Sequence, residues 1–311
     1  MASKPAPSNR FADTMLRGAY VSLDDLLAVR YRPGVTARRR PPLVSNQHGH
    51  RLSKLRGRGV DFSEVRAYQP GDDVRTIDWR VTARKNKPHT KIFREERERL
   101  TFVVVDQSQG MFFGSRTRLK SVAAAEVAAW AAWQSVSHND RVGGIVLGNH
   151  RMAIHKPYRS SRNVARLMSD IALFNQSLTA DSDKRDENLL HESLVQLRRL
   201  THTNHRIFLI SDFRPLGDLW QDTLRALVRH NEVVVVQVYD PLERDLPPSE
   251  QYSVTDGVAR VQFHTGDRRL RDQYHQRFAE HERALQELCI TTSTRYRTQS
   301  TDDPMGILEG A

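Results

Sequence analysis

A chain of 311 residues, 38% of them hydrophobic, is long enough to bury the core of one large domain or two modest ones. A single cysteine, Cys289, excludes an internal disulfide framework and a cysteine-based zinc site, and points to a reducing compartment, the cytoplasm. The net charge of +11 is local: no Asp or Glu lies between Leu26 and Val60, where Arg30, Arg32, Arg38, Arg39, Arg40, Arg51, Lys54, Arg56 and Arg58 are found.

Met1–Arg10 is polar with two prolines, and no window approaches eighteen uninterrupted apolar residues, so neither secretion nor membrane insertion is expected. Residues 1–19 read as a flexible leader, and Leu23 to Val29 as a short helix ending near Pro33. Pro41-Pro42 and the glycines Gly57 and Gly59 break any helix, so Leu43 to Arg66 is expected to be loop with short strands.

The run Arg66-Ala67-Tyr68-Gln69-Pro70-Gly71-Asp72-Asp73-Val74-Arg75-Thr76-Ile77-Asp78-Trp79-Arg80, continuing to Arg84, is the most distinctive in the chain. Pro70-Gly71 suits a type II turn, because proline presets φ at the second position and glycine accepts a positive φ at the third. The acids and arginines that follow are expected to lock by bidentate pairing around Trp79. Val74, Ile77 and Val81 fit a helix, whereas Ile77, Trp79 and Val81 fit a strand, so both remain open here.

From Thr101 strands and helices alternate. Phe102 to Asp106 is a buried-type strand, followed by an Ala-rich helix through Leu119, Ala123, Val127 and Trp130. Arg141–Leu147 and Met152–Pro157 form two strands turning near Gly148-Asn149, and Val164 to Phe174 a helix. The stripe Leu190, Leu194, Leu197 leads to a second strand, Ile207 to Asp212; Trp220 to Val228 is a helix, and Val233 to Tyr239 a third strand ending at Asp240. Leu270 to Leu288 line a C-terminal helix and Ile290 to Arg297 a last strand. The expected fold is α/β, a doubly wound, mostly parallel sheet preceded by an irregular, β-containing N-terminal segment. The division is a leader over 1–19, a basic segment with the motif over 20–98, the α/β domain over 99–298 and a tail over 299–311.

Ligands in such sheets bind at the carboxyl ends of the strands, where Asp106 and Asp212 both fall. Asp106, Ser108 and Asp212 offer hard oxygens suited to Mg²⁺ or Ca²⁺. This arrangement resembles the von Willebrand factor A fold and its metal-ion-dependent adhesion site, whose first motif is Asp-x-Ser-x-Ser. Gly110 replaces the second serine, and the stretch Glu187 to Leu190 has Asn188 but no threonine, so the site is a degenerate one. The alternative is that both aspartates accept loop amides and cap the following helices.

Tyr68-x-Pro70-Gly71-Asp72-Asp73-x-Arg75-x-Ile77-Asp78-Trp79, with the upstream Gly57-x-Gly59-x-x-Phe62 and the downstream Asp106-x-Ser108, resembles the DUF58 family of bacterial and archaeal proteins over roughly Gly49 to Asp240. The resemblance implies a von Willebrand factor A-like domain, no enzymatic activity, and association with a MoxR-type AAA+ ATPase as partner or adaptor in assembling other complexes. Arg66, Tyr68, Pro70, Gly71, Asp72, Asp73, Arg75, Asp78, Trp79, Arg80 and Arg84 are then the candidate partner-binding or clasp residues.

No Gly-x-x-x-x-Gly-Lys phosphate loop and no His-Glu-x-x-His is present. His202-x-x-His205 reads as a solvated connection and Gly143-Gly144 as a site of close packing. Two alternatives stand beside the adaptor: a nucleic-acid-binding protein using the basic segment 26–60, and a Mg-dependent hydrolase or phosphoryl-transfer enzyme for which no nucleophile or base can be named.

Overall fold

The computed structural model describes residues 15–35, 60–95, 99–183, 185–214, 217–248, 251–255 and 260–305. Two compact units result, one made of Met1–Arg40 with Arg99–Ala311 and the other of Pro41–Glu98.

The chain enters through α1 (Leu23–Ala28), fixed by a capping box in which Ser22 accepts from the Asp25 amide and the Asp25 carboxylate accepts from the Ser22 amide. Leu26, Val29 and Val35 are buried in the larger unit, and the Trp133 indole donates to the Leu26 carbonyl at 3.0 Å. The leader expected over 1–19 lies mostly outside the described residues. Its described end is tied down, with the Leu16 amide donating to Glu126 and Gly18 exchanging backbone bonds with Thr117 and Leu119.

In the smaller unit β1 (Val60–Ala67) pairs antiparallel with β2 (His89–Glu95), and between them a 3-10 turn at Val74–Thr76 precedes α2 (Trp79–Lys85). The choice between strand and helix is thus resolved toward helix. Asp78 decides it by accepting from the Arg80 and Val81 amides at 3.0 and 3.2 Å, an N-cap for α2.

The larger unit continues with β3 (Leu100–Asp106), α3 (Lys120–Ser137), β4 (Arg141–Leu147), β5 (Met152–Tyr158), α4 (Ser161–Gln176), α5 (Glu187–Leu200), β6 (His205–Ser211) and α6 (Asp218–Val228). It closes with β7 (Glu232–Tyr239), α7 (Pro241–Arg244), β8 (Gln251–Thr255), β9 (Arg260–His264), α8 (Arg268–Thr291) and β10 (Arg295–Ser300). The main sheet runs β10-β7-β6-β3-β4-β5, parallel except for the antiparallel edge strand β5. Successive side chains of β3 enter opposite cores: Val103 and Val105 pack with α1, α3 and α4, while Phe102 and Val104 pack with α5, α6 and α8. Each such fully buried side chain contributes about 1.5–3 kcal/mol. The mostly parallel sheet flanked by helices is the expected architecture.

Three differences have physical causes. The last strand begins at Arg295 rather than Ile290, because α8 continues to Thr291 and the chain reverses at Ser293, whose φ is 55°. The tail expected from 299 is packed as far as Met305: Gln299 and Ser300 complete β10, and Thr301 is buried. The hairpin β8–β9 was not expected, although Tyr252/Val254 and Val261/Phe263 alternate around Asp256-Gly257, a hairpin signal.

Candidate functional site

Because β3, β6 and β7 are parallel neighbours, Asp106, Asp212 and Asp240 emerge at the same sheet edge. Asp240 serves as a cap: its Oδ1 accepts from the Leu242 amide at 2.9 Å, and its Oδ2 from Ser115 and the Thr301 hydroxyl.

Asp106 is fully buried. Its Oδ1 accepts from the Ser108 amide at 3.0 Å; its Oδ2 accepts from the Ser211 hydroxyl at 2.6 Å and from the guanidinium of Arg185, which also donates to the Arg214 carbonyl. The Ser108 hydroxyl is buried without a hydrogen-bond partner. The chain leaves β6 through Phe213, a buried residue held at φ 57°, in the left-handed region that a bulky side chain rarely adopts. That turn aims Asp212 at α3, the Phe213 amide bonding Ser211 and the Arg214 amide bonding Asp212.

Asp212 Oδ2 accepts from Lys120 Nζ at 2.9 Å, and the same ammonium donates to Glu243 Oε1 at 2.8 Å. Burial alone would depress the Lys120 pKa, but the charges of Asp212 and Glu243 outweigh it and raise the value. Burial conversely pushes Asp212 up, and Lys120 followed by Arg185 holds it below the usual carboxylate range. Sequence reasoning did not find Lys120, Arg185 or Glu243. Only Glu243 carries a local signal, as the fourth residue of an Asp-Pro-Leu-Glu capping box closed on Asp240.

Of the expected ligands, Asp106 and Ser108 are joined through the Ser108 amide and Asp212 leaves the neighbouring strand at the same edge; a Cβ placed at Gly110 would lie 3.5 Å from Asp212 Oδ2, ordinary contact. A Cβ at 110 therefore meets no clash. Asn188 is exposed at the start of α5, its amide bonded to Asp186. A divalent ion needs several oxygens converging on one point with free lone pairs. Here Arg185 engages Asp106, Lys120 engages Asp212, and among the described residues no three acid, histidine or cysteine side chains group around a common point. The residues as arranged do not fit Mg²⁺ or Ca²⁺; the candidate site is an internal ion-pair cluster carrying its own cations.

In the smaller unit Gly71 has φ 105° and the Asp72 amide donates to the Gln69 carbonyl at 3.0 Å, closing the expected Pro70-Gly71 turn. Arg66 pairs with Asp72 at 2.7 Å, and the Tyr68 hydroxyl donates to the Asp72 carbonyl. The amide of Gln69 and then Arg66 hold the Asp72 pKa low. The bidentate lock expected around Trp79 does not form. Asp73 and Asp78 accept helix-start amides instead, which leaves Arg75, Arg80 and Arg84 exposed alongside Trp79, itself 68% exposed. Within the basic segment, Arg30 stacks over Tyr31 and Trp133, and Arg32 pairs with buried Glu126. Residues 36–59, with most of the segment's charge, lie outside the described residues.

Residues 64–284 match the family described as "Protein of unknown function DUF58". The chain is 32% identical over 286 residues to uncharacterised proteins of Mycobacterium tuberculosis and Mycobacterium bovis, a span covering 90% of this chain and 86% of each relative. A comparison with solved structures finds similarity to a conserved hypothetical protein, BatB, of Bacteroides thetaiotaomicron, at 13% identity and TM-score 0.38 over 65% of this chain and 90% of that one. An aerotolerance-related membrane protein of Bacteroides fragilis matches at 12% identity and TM-score 0.38, over 65% and 92%. Among the described residues of this chain, no helix is long and apolar enough to cross a membrane.

Proposed function

The chain belongs to the DUF58 family, and on that premise we propose that it is a non-catalytic protein-binding adaptor, working with a MoxR-type AAA+ ATPase in the assembly or maturation of other protein complexes. Its α/β unit is taken as a von Willebrand factor A-like domain, in keeping with a parallel sheet whose edge strand β5 is antiparallel and with Asp106-x-Ser108 at the end of β3. The ATPase partner follows from the family resemblance of the Tyr68 to Trp79 motif.

The observation that carries the adaptor reading is the surface of α2 and of the 3-10 turn before it. Trp79 is 68% exposed, Val74 is 58% exposed, and Arg75, Arg80 and Arg84 stand exposed in the same segment. An exposed indole among arginines has the composition of a protein-interface anchor: a large area is buried at little entropic cost, and arginine contributes charge-assisted bonds. The strand-end cluster supports the same reading, since the carboxylates a hydrolytic centre would need are held by Lys120 and Arg185. The test is binding of the purified ATPase to the wild-type chain and to Trp79→Ala; equal affinity for both would remove the surface from the account.

A further inference from the structure

Beside the ion-pair cluster, within the larger unit, lies a cavity of about 320 Å³ lined by Arg214, Glu243, Tyr274, Arg277, Phe278 and His281. Its wall is one face of α8, because Tyr274, Arg277, Phe278 and His281 fall at i, i+3, i+4 and i+7. Phe278 is buried beneath the Arg214 guanidinium, which sits 5.4 Å from the ring centroid, and both side chains line the cavity. His281 donates through Nε2 to the Asp212 carbonyl at 3.0 Å, which links the cavity to the turn after β6.

We infer that this cleft is a carboxylate-binding pocket that receives an acidic side chain from a protein partner. The inference rests on the adaptor reading for the source of that side chain.

Charge decides the ligand class. Two arginines, Arg214 and Arg277, line the cleft against one carboxylate, Glu243, which Lys120 already holds, so the lining itself carries an excess of positive charge. Among the described residues no carboxylate pairs with Arg277, and Arg214 reaches Glu243 only at 3.7 Å because Lys120 already holds that acid at 2.8 Å. A monoanion satisfies this excess. A phosphate dianion would set its second charge against Glu243. The Arg214 and Arg277 forks supply the paired donors that a carboxylate accepts bidentately, and the Tyr274 hydroxyl adds a neutral donor. Phe278 gives the aliphatic stem of a Glu or Asp an apolar floor, and the cavity is of the size of a small ligand pocket.

The test uses the full chain and a fluorescent hexaglutamate peptide, with hexaglutamine and inorganic phosphate as comparison probes. Arg277 is exposed, so Arg277→Glu spares the fold, and Arg214→Gln keeps the backbone bond to Asp212. Each substitution is expected to weaken hexaglutamate binding tenfold or more. Arg268→Glu, a charge change at an 86% exposed site at the start of α8, is expected to change it less than twofold. Loss of affinity at 277 and 214 but not at 268 supports the pocket. Equal binding by wild type and both pocket variants, or an equal loss at 268, overturns it, and tighter binding of inorganic phosphate than of the peptide overturns the assignment to carboxylate. The titration contains no ATPase, so failure here leaves the adaptor reading standing, and failure of the ATPase to bind leaves the pocket standing.

Discussion

Lys120 Nζ lies 2.9 Å from Asp212 Oδ2, and both side chains are buried at the carboxyl edge of the sheet. The ammonium bonds Glu243 as well, so Asp212, expected as an ion ligand, already shares a buried cation.

Replacing Lys120 by Met leaves two buried carboxylates without their cation. The expected loss is about 3–5 kcal/mol, read as a shift of the urea midpoint, with part of it recovered in the Lys120→Met/Asp212→Asn double variant. The pH window follows from the two shifts. The Asp212 pKa is lowered in the folded chain, so its contribution is lost as pH falls below about 4; the Lys120 pKa is raised, so its contribution persists to about pH 10 and is lost above. A flat stability difference between wild type and variant from pH 3 to pH 10 would contradict this.

Calorimetric titration of the wild-type chain with millimolar Mg²⁺ or Ca²⁺ is expected to give no saturable heat. Saturable binding that Asp106→Asn abolishes would show that the ion displaces Arg185 or Lys120.

Burial lowers the His281 pKa from its usual 6.5, more than its bond to the Asp212 carbonyl raises it. A histidine held neutral in the folded state stabilises it above the unfolded pKa, and that stability is lost as pH falls through the unfolded value toward the folded one. The melting temperature should therefore drop more between pH 7.5 and 5.5 for wild type than for His281→Gln, whose amide can still donate to the carbonyl. An identical drop in both assigns the effect elsewhere, for instance to His205, which burial also lowers.

Gly143 in β4 lies against the neighbouring strand so closely that a Cβ would meet the His155 carbonyl oxygen at 2.7 Å and the Pro157 nitrogen at 2.9 Å. Gly143→Ala is expected to cost about 1–3 kcal/mol in chemical denaturation, whereas Gly110→Ala, with only ordinary contact at 3.5 Å, should stay within about 0.5 kcal/mol. A smaller loss at 143 than at 110 would contradict the packing.

How much of this was legible depends on the range of each interaction. The runs Phe102–Val105, Ile207–Ile210 and Val233–Val236 declare buried strands because both faces are covered and every position is apolar. Strands of that kind, running parallel, bring Asp106 and Asp212 to one edge by topology alone. The cations that occupy them come from 92 and 79 positions away in sequence, Lys120 to Asp212 and Arg185 to Asp106, and nothing local marks either. In the motif, spacing revealed the Pro70-Gly71 turn, but not whether Asp73 and Asp78 would bond arginines or helix-start amides. The amides won because they lie two or three residues away at fixed geometry, while an arginine fork must give up rotamer freedom to reach.

The adaptor reading stands or falls on one binding measurement: immobilised full-length chain against the purified MoxR-type ATPase, with Trp79→Ala in parallel. Trp79 is exposed, so the substitution should leave the melting temperature nearly unchanged while weakening ATPase binding at least tenfold. An ATPase that binds neither protein, or binds both equally, would contradict the account.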